Sequence, residues 1–529
     1  MPTVTSELAL DDDGLAALRQ PRTDIVAEAA DGPDRWRAET GPFRTYERTI
    51  DVRLGSDLDR PHRVTETTRY RLAIPLWAPL FAPLMRRAVR GPGPAGSVDA
   101  PAQTPPDRSP RRRWWWPEEV VARQTTELVS AVCLLSIVGG YLGVVIGQTI
   151  TFAAREFGQA DSAQANTLAA TRIGVLLSFV LLLRADKIGR RPLMLWFATG
   201  AVLFTLLGAL SPNLFALGAT QTIARGLTTG LFTVMVLAAT EEVPSSARAF
   251  SVSLATVAAA LGAGMVLWVL PTADLFTGGW RIVYVAPALF LPVIWWVSRY
   301  LPETRRFVAA TTEGAPARIN RRWLTLIGLA AFGSLVFLTP ASQLRNEFLA
   351  DDLGYSATRI SAFQLIVSTP AGVAVVAAGI VADRLGRRWV GAIALALGTA
   401  TTVASYQLTG AGLWVFASLG VILTSAAFPA MRAYQTELFP TRARARVGAI
   451  MDVIGVLGSV TGLVLVGLIA DRWTDLGTAI GAMMAAPLLV AVLILVFFPE
   501  TANQELEAFN PSDPSPANQA PTQPTISSS

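Results

Sequence analysis

"LLLRADKIGRRPLML" (Leu181–Leu195) and "GIVADRLGRRW" (Gly379–Trp389) are one loop written twice. Setting Asp186 on Asp383 also sets Gly189 on Gly386 and Arg190–Arg191 on Arg387–Arg388, at a spacing of 197 residues. The same spacing relates "LPET" (301–304) to "FPET" (498–501), and "PSSARA" (244–249) precedes "PTRARA" (440–445) by 196. Three motifs at offsets of 197, 197 and 196 mark two parallel repeats.

The loops are bursts of charge between apolar runs. Of the 529 residues, 52% are hydrophobic and 16% charged, against about 25% charged in soluble domains. From Leu128 onward several runs approach the roughly 20 residues that a helix needs to cross a bilayer, among them Leu193–Ser211 and Ala479–Phe498. The spacing predicts an all-α membrane protein with twelve transmembrane helices in two six-helix halves. The expected spans are 127–152, 164–184, 192–211, 214–240, 247–270 and 281–300, then 323–345, 358–382, 389–409, 412–436, 445–470 and 477–498. Arginine clusters fill alternate gaps, from Arg111–Arg113 to Arg442–Arg446, while "SPN" (211–213) and "TGAG" (409–412) carry none. The positive-inside rule then puts the arginine-rich gaps and both termini in the cytoplasm.

The chain has one cysteine, Cys133, and one histidine, His62, so no Cys/His metal site and no cofactor is expected. The net charge of +5 is met by arginines at span ends and needs no nucleic acid. The bias towards arginine and alanine suggests a bacterial chain in the inner membrane. No nucleophile–base pair or nucleotide loop suggests an enzyme.

On these tandem loops the chain resembles the major facilitator superfamily over residues 120–507. The second copy is complete, with Gly379 ahead of Asp383; the first has Leu182 at that place. "EEVPSSARA", "TELFPTRARA", "GGWR" (278–281) and "FPETANQELE" are similar to loops of sugar porters and metabolite–proton symporters. The resemblance implies cytoplasmic ion-pair networks that latch the halves in the outward-facing state. They would be built from Asp186, Lys187, Gly189, Arg190, Arg191, Glu242 and Arg248, and from Asp383, Arg384, Gly386, Arg387, Arg388, Glu437 and Arg444.

Ionisable groups inside spans are costly and usually face a cavity. Arg225 falls near the middle of span 4 and is similar to the family's span-4 arginine; Arg172 falls in the outer half of span 2. Arg432 and Asp452, in spans 10 and 11, are candidates for coupling or for a mutual pair. Proton-coupled relatives carry a span-1 aspartate beside a glycine–tyrosine pair, where this chain has Leu142 in "GGYLGVVIGQ" (139–148). The remaining acids are Asp452 and, at span ends, Glu241, Glu242 and Glu347, so protons as coupling ion stay open. Tyr141, Gln148, Gln221, Gln364, Tyr434 and Gln435 are uncharged candidates for the cavity wall or for helix contacts. Two arginines with few partner acids suggest an anionic solute.

The expected organisation is a cytoplasmic extension over 1–90, a linker over 91–120, a first half over 121–301, a joining loop over 302–322, a second half over 323–508 and a tail over 509–529. In the extension, 45–54 and 63–74 read as a β-hairpin, and 75–90 as an apolar, basic-ended helix lying on the inner leaflet. Strands followed by such a helix resemble the tail of a small lipid- or polyketide-binding fold. The expected function is alternating-access transport of a small organic solute by a monomer in the lipid bilayer. A membrane-embedded sensor with a cytoplasmic output domain and a drug or metabolite exporter are the alternatives.

Overall fold

The computed structural model describes residues 1–54, 61–74, 78–90, 122–182, 188–243, 245–301, 319–439, 444–472 and 475–501. The extension folds around a sheet. Its elements are β1 (Thr3–Leu10), α1 (Asp12–Leu18), β2 (Ala27–Ala30), β3 (Arg35–Thr40), β4 (Phe43–Leu54), β5 (His62–Leu72) and α2 (Ala78–Val89). The antiparallel order is β1-β5-β4-β3-β2. Side chains alternate across a strand, so Tyr46, Arg48 and Ile50 on β4 share a buried face with Val64, Glu66, Thr68 and Tyr70 on β5. Leu15 and Leu18 of α1 cover one part of that face, and Met85, Ala88 and Val89 of α2 another.

The expected hairpin is present as β4 and β5, extended to a five-stranded sheet, and the apolar side of α2, expected on a leaflet, packs on that sheet. An amphipathic helix is satisfied by either surface, and here the sheet has an apolar face to cover.

Between the two helices lies a polar layer. Arg48, fully buried, donates from Nη2 to Glu28 at 2.6 Å, from Nη1 to Glu66 at 3.3 Å, and to the carbonyls of Leu18 and Gln20, while stacking on Trp36. Tyr46 Oη donates to Glu28 at 2.6 Å. Burial above all, with Glu28 adding to it, pushes this hydroxyl's pKa up and keeps it a neutral donor. At the start of β4, Arg44 pairs with Glu127 and stacks on Tyr300 at 4.8 Å, which joins the extension to the first helical half.

The rest is helical. The first half comprises α3 (Arg123–Phe157), α4 (Asp161–Leu182), α5 (Arg190–Gly208), α6 (Leu214–Glu242), α7 (Ser245–Val269) and α8 (Arg281–Ser298), the last broken by a 3-10 turn at Ala286–Leu289. The second comprises α9 (Arg321–Gln343), α10 (Ala357–Leu385), α11 (Arg387–Gln407), α12 (Gly410–Glu437), α13 (Arg444–Arg472) and α14 (Leu476–Phe497). Among the described residues, ten helical segments are long and apolar enough to cross a membrane.

The halves are built alike. In the first, α3 and α7 cross at glycines. A Cβ on Gly140 would stand 1.9 Å from Ala259 O, and one on Gly262 1.9 Å from Ile137 O. In the second, α9 and α13 cross the same way, with Gly462 against Val336 O at 2.0 Å. Without a hydrophobic drive in lipid, such close approach is what packs helices together. The "GGWR" stretch fastens α8 to the end of α3, since Trp280 Nε1 donates to Glu156 at 2.6 Å and Arg281 pairs with the same carboxylate.

Candidate functional site

Both repeated loops turn on a glycine held at positive φ, 96° at Gly189 and 100° at Gly386, a conformation open to glycine and strained for other residues. Each glycine immediately precedes a helix of exposed N–H groups. At the second, Glu500 of "FPET" supplies the acceptors. It takes Arg387 N at 2.8 Å and Arg388 N at 3.2 Å, a favourable place for an anion at a positive helix end. Tyr434 Oη donates to Pro499 O at 3.0 Å and holds that segment down. Tyr434 therefore serves this anchor. At the first loop, Arg191 Nη2 donates to Ser298 O at 2.7 Å, and Arg190 is buried.

Much of the expected latch lies outside the described residues. Asp186 and Lys187 do so entirely, as do the side chains of Arg248, Asp383, Arg384, Arg432, Glu437 and Arg444. Glu242 and Gln435 are half-buried at the ends of α6 and α12, and Asp452 is exposed on α13.

Among the described residues, hydrogen bonds between the two halves gather at the opposite end. Arg155 Nε donates to Asp351 at 2.6 Å. Asp274 takes Ala357 N at 2.7 Å, and Thr358 N and Oγ1 at 2.8 and 2.7 Å, at the start of α10. Ser162 N donates to Asp471 at 3.3 Å, and Ser361 Oγ to Leu267 O. These ties seal the far end.

Just inside the seal, Asn346 links the halves. Its Nδ2 donates to Gln148 Oε1 at 2.8 Å and to Gln148 O at 3.1 Å, and its Oδ1 accepts from Gln364 Nε2 at 2.9 Å. Two expected wall residues, Gln148 and Gln364, are thus brought together by a third that the sequence reading omitted. Gln343 also lies against Gly147. The signal was "SQLRNE" (342–347), a polar run closing an apolar span.

Deeper in the first half, Arg225 Nη1 donates to Gly143 O, and its Nε is buried without a hydrogen-bond partner among the described residues. Arg172 lies close enough for the two charges to act on each other. Among the described residues neither arginine is in an ion pair. Tyr141 and Gln221 are elsewhere. Tyr141 Oη donates to Val283 O at 2.7 Å within the helical core, and Gln221 is buried against Gly208.

Two helical halves with matching crossings, tied at one end around central polar groups, define a multi-pass membrane protein of the transporter type. A family model described as Major Facilitator Superfamily matches residues 344–525. A putative metabolite transport protein of Haemophilus influenzae is 25% identical over 301 residues, covering 51% of this chain and 68% of that one. The inward-open xylose transporter XylE of E. coli superposes with a TM-score of 0.61 at 17% identity, over 73% of this chain and 99% of that one. The nucleoside transporter NupG gives 0.57 at 15%, over 70% and 100%. The chain is thus similar in fold, and over its C-terminal residues in sequence, to the Major Facilitator Superfamily.

Proposed function

We propose that this protein is a secondary transporter that carries a small organic anion by alternating access. The arginine pair carries the substrate reading. Arg172 and Arg225 lie in one half, close enough to repel, with no acid in an ion pair with either among the described residues, so an anion entering between the halves would relieve their repulsion. The polar chain Gln148–Asn346–Gln364 would meet its uncharged part from both halves.

We read α4 and α10 as spans alongside the ten apolar helices, which would make twelve in two six-helix halves. With the arginine-rich loops in the cytoplasm of a bacterial inner membrane, the sealed end is the outer one and the form is inward-facing. The repeated loops then latch the cytoplasmic side in the opposite state, with Glu500 capping the helix beside the second loop. The sugar-porter-like loops and the metabolite transport relative support uptake of a metabolite. The experiment is a thermal-shift screen of the purified protein against mono- and dicarboxylates, sugar phosphates and neutral sugars, followed by proteoliposome uptake of each hit. Stabilisation by anions that is lost in Arg225→Gln supports the reading. Stabilisation by neutral sugars alone, equal in Arg225→Gln, overturns the anion. Failure of every stabilising compound to enter proteoliposomes would favour a sensor.

A further inference from the structure

The sealed end holds a carboxyl group in an unusual position. Glu347, in the segment after α9, is 2% exposed, and neither of its carboxylate oxygens has a hydrogen-bond partner among the described residues. Its neighbour from the other half is another acid, Asp161 at the start of α4, within hydrogen-bonding reach. Oxygens of Glu347, Asp161 and Asp351 lie within 4.8 Å of one another. Asp351 is neutralised by Arg155. Arg345 is turned to Ser405 Oγ at 2.8 Å and stacked on Tyr406. Among the described residues the other charges nearby are acids: Asp352 on the same segment, Asp475 at the start of α14, and Asp471 at the end of α13, which holds Ser162 N.

A buried carboxylate, Glu347, and a half-buried one, Asp161, cannot share a contact without a positive charge between them. A metal ion wants about six oxygen ligands, and this place offers two free carboxylates. A proton needs no more than the two oxygens. We propose that Glu347 and Asp161 share one bound proton that closes the outer end, and that its loss parts the two halves there. The step is a proton leaving the carboxyl–carboxylate hydrogen bond for outside water, after which two like charges face each other. Such a site would supply a coupling proton where span 1 has Leu142 in place of the aspartate of proton-coupled relatives. This rests on the alternating-access reading above.

The test measures distances between spin labels in reconstituted protein. Cys133 is buried and is replaced by Cys133→Ala. One pair, Gln159→Cys with Gln407→Cys, reports the sealed end; another, Arg299→Cys with Trp389→Cys, reports the loop end. Closure takes up the proton, so the closed state loses ground as pH rises. One proton makes the closed-to-open ratio at the sealed end fall up to about tenfold per pH unit. In Glu347→Gln, and independently in Asp161→Asn, an amide donates permanently to the remaining carboxylate, and the sealed end should stay closed from pH 5 to 9. The proposal is overturned if wild type shows no pH dependence, or if both variants titrate as wild type does. It is also overturned if sodium, calcium or magnesium chloride, or their removal with a chelator at fixed pH, reproduces the change. Ends that move in opposition but ignore pH leave the transport reading standing without the proton. Two ends static under every condition would remove both.

Discussion

Gly140→Ala tests whether the crossing of α3 and α7 is as tight as the backbone implies. The added methyl would stand 1.9 Å from Ala259 O, while heavy atoms in good contact sit about 3.5 Å apart. The helices must therefore part by roughly 1.5 Å at this level. A carbonyl of a packed helix cannot swing aside as a side-chain tip can, and overpacking of this kind costs about 1–3 kcal/mol. For a unit the size of one half that corresponds to a loss of roughly 2–12 °C in melting temperature, at about 2–4 °C per kcal/mol. Gly264, on the same helix α7, is the control, since a Cβ there meets nothing within 4 Å. Gly264→Ala should melt with the wild type or slightly above it, because alanine favours a helix by about 0.5–1 kcal/mol over glycine. The assay is a thermal melt of the purified protein in one detergent. A Gly140→Ala melt at or above that of Gly264→Ala would refute the close crossing. It would also undercut the placement of Gly143 and Gln148, which the same helix carries to Arg225 and Asn346.

Arg225→Lys keeps a charge but loses the planar fork, so anion stabilisation in the thermal-shift assay should weaken, and Arg225→Gln should abolish it with folding intact; if the two variants unfold instead, the arginine is a structural brace to the Gly143 carbonyl. Glu500→Ala removes the acceptor for two helix N–H groups and should cost about 1–2 kcal/mol, with Glu500→Gln milder; equal melting of all three proteins would show that this contact contributes nothing. Arg48→Met leaves Glu28 buried without its cation, while Glu66 keeps Arg22 at 2.7 Å; the loss should be about 3–5 kcal/mol, seen as faster proteolysis of residues 1–90 while the helical halves stay resistant.

The local chemistry of the chain determined a good deal by itself. Apolar length set the spans, and the structure's helices begin and end within a few residues of the expected places: 281–300 is Arg281–Ser298 and 412–436 is Gly410–Glu437. The repeat at 197 residues was legible because each loop needs glycine at the same positive-φ turn, and that need is local. The strands β4 and β5 were legible from alternation, whereas β1, β2 and β3 were not. Four residues of β2 and the mixed polarity of "RWRAET" in β3 give no period to read, and their pairing is supplied by strands distant in sequence. What a polar side chain does was decided by tertiary structure. Tyr141 and Gln148 lie two turns apart on one helix, yet the first is spent on Val283 and the second reaches the other half through Asn346. Glu500 and Gly386 were each conspicuous, but their meeting required α14 to pack beside α11. Spacing along the chain fixes the face on which a group stands. Its partner depends on which helices cross there and how closely, and the crossing is set by glycines whose effect is felt only when a second backbone arrives.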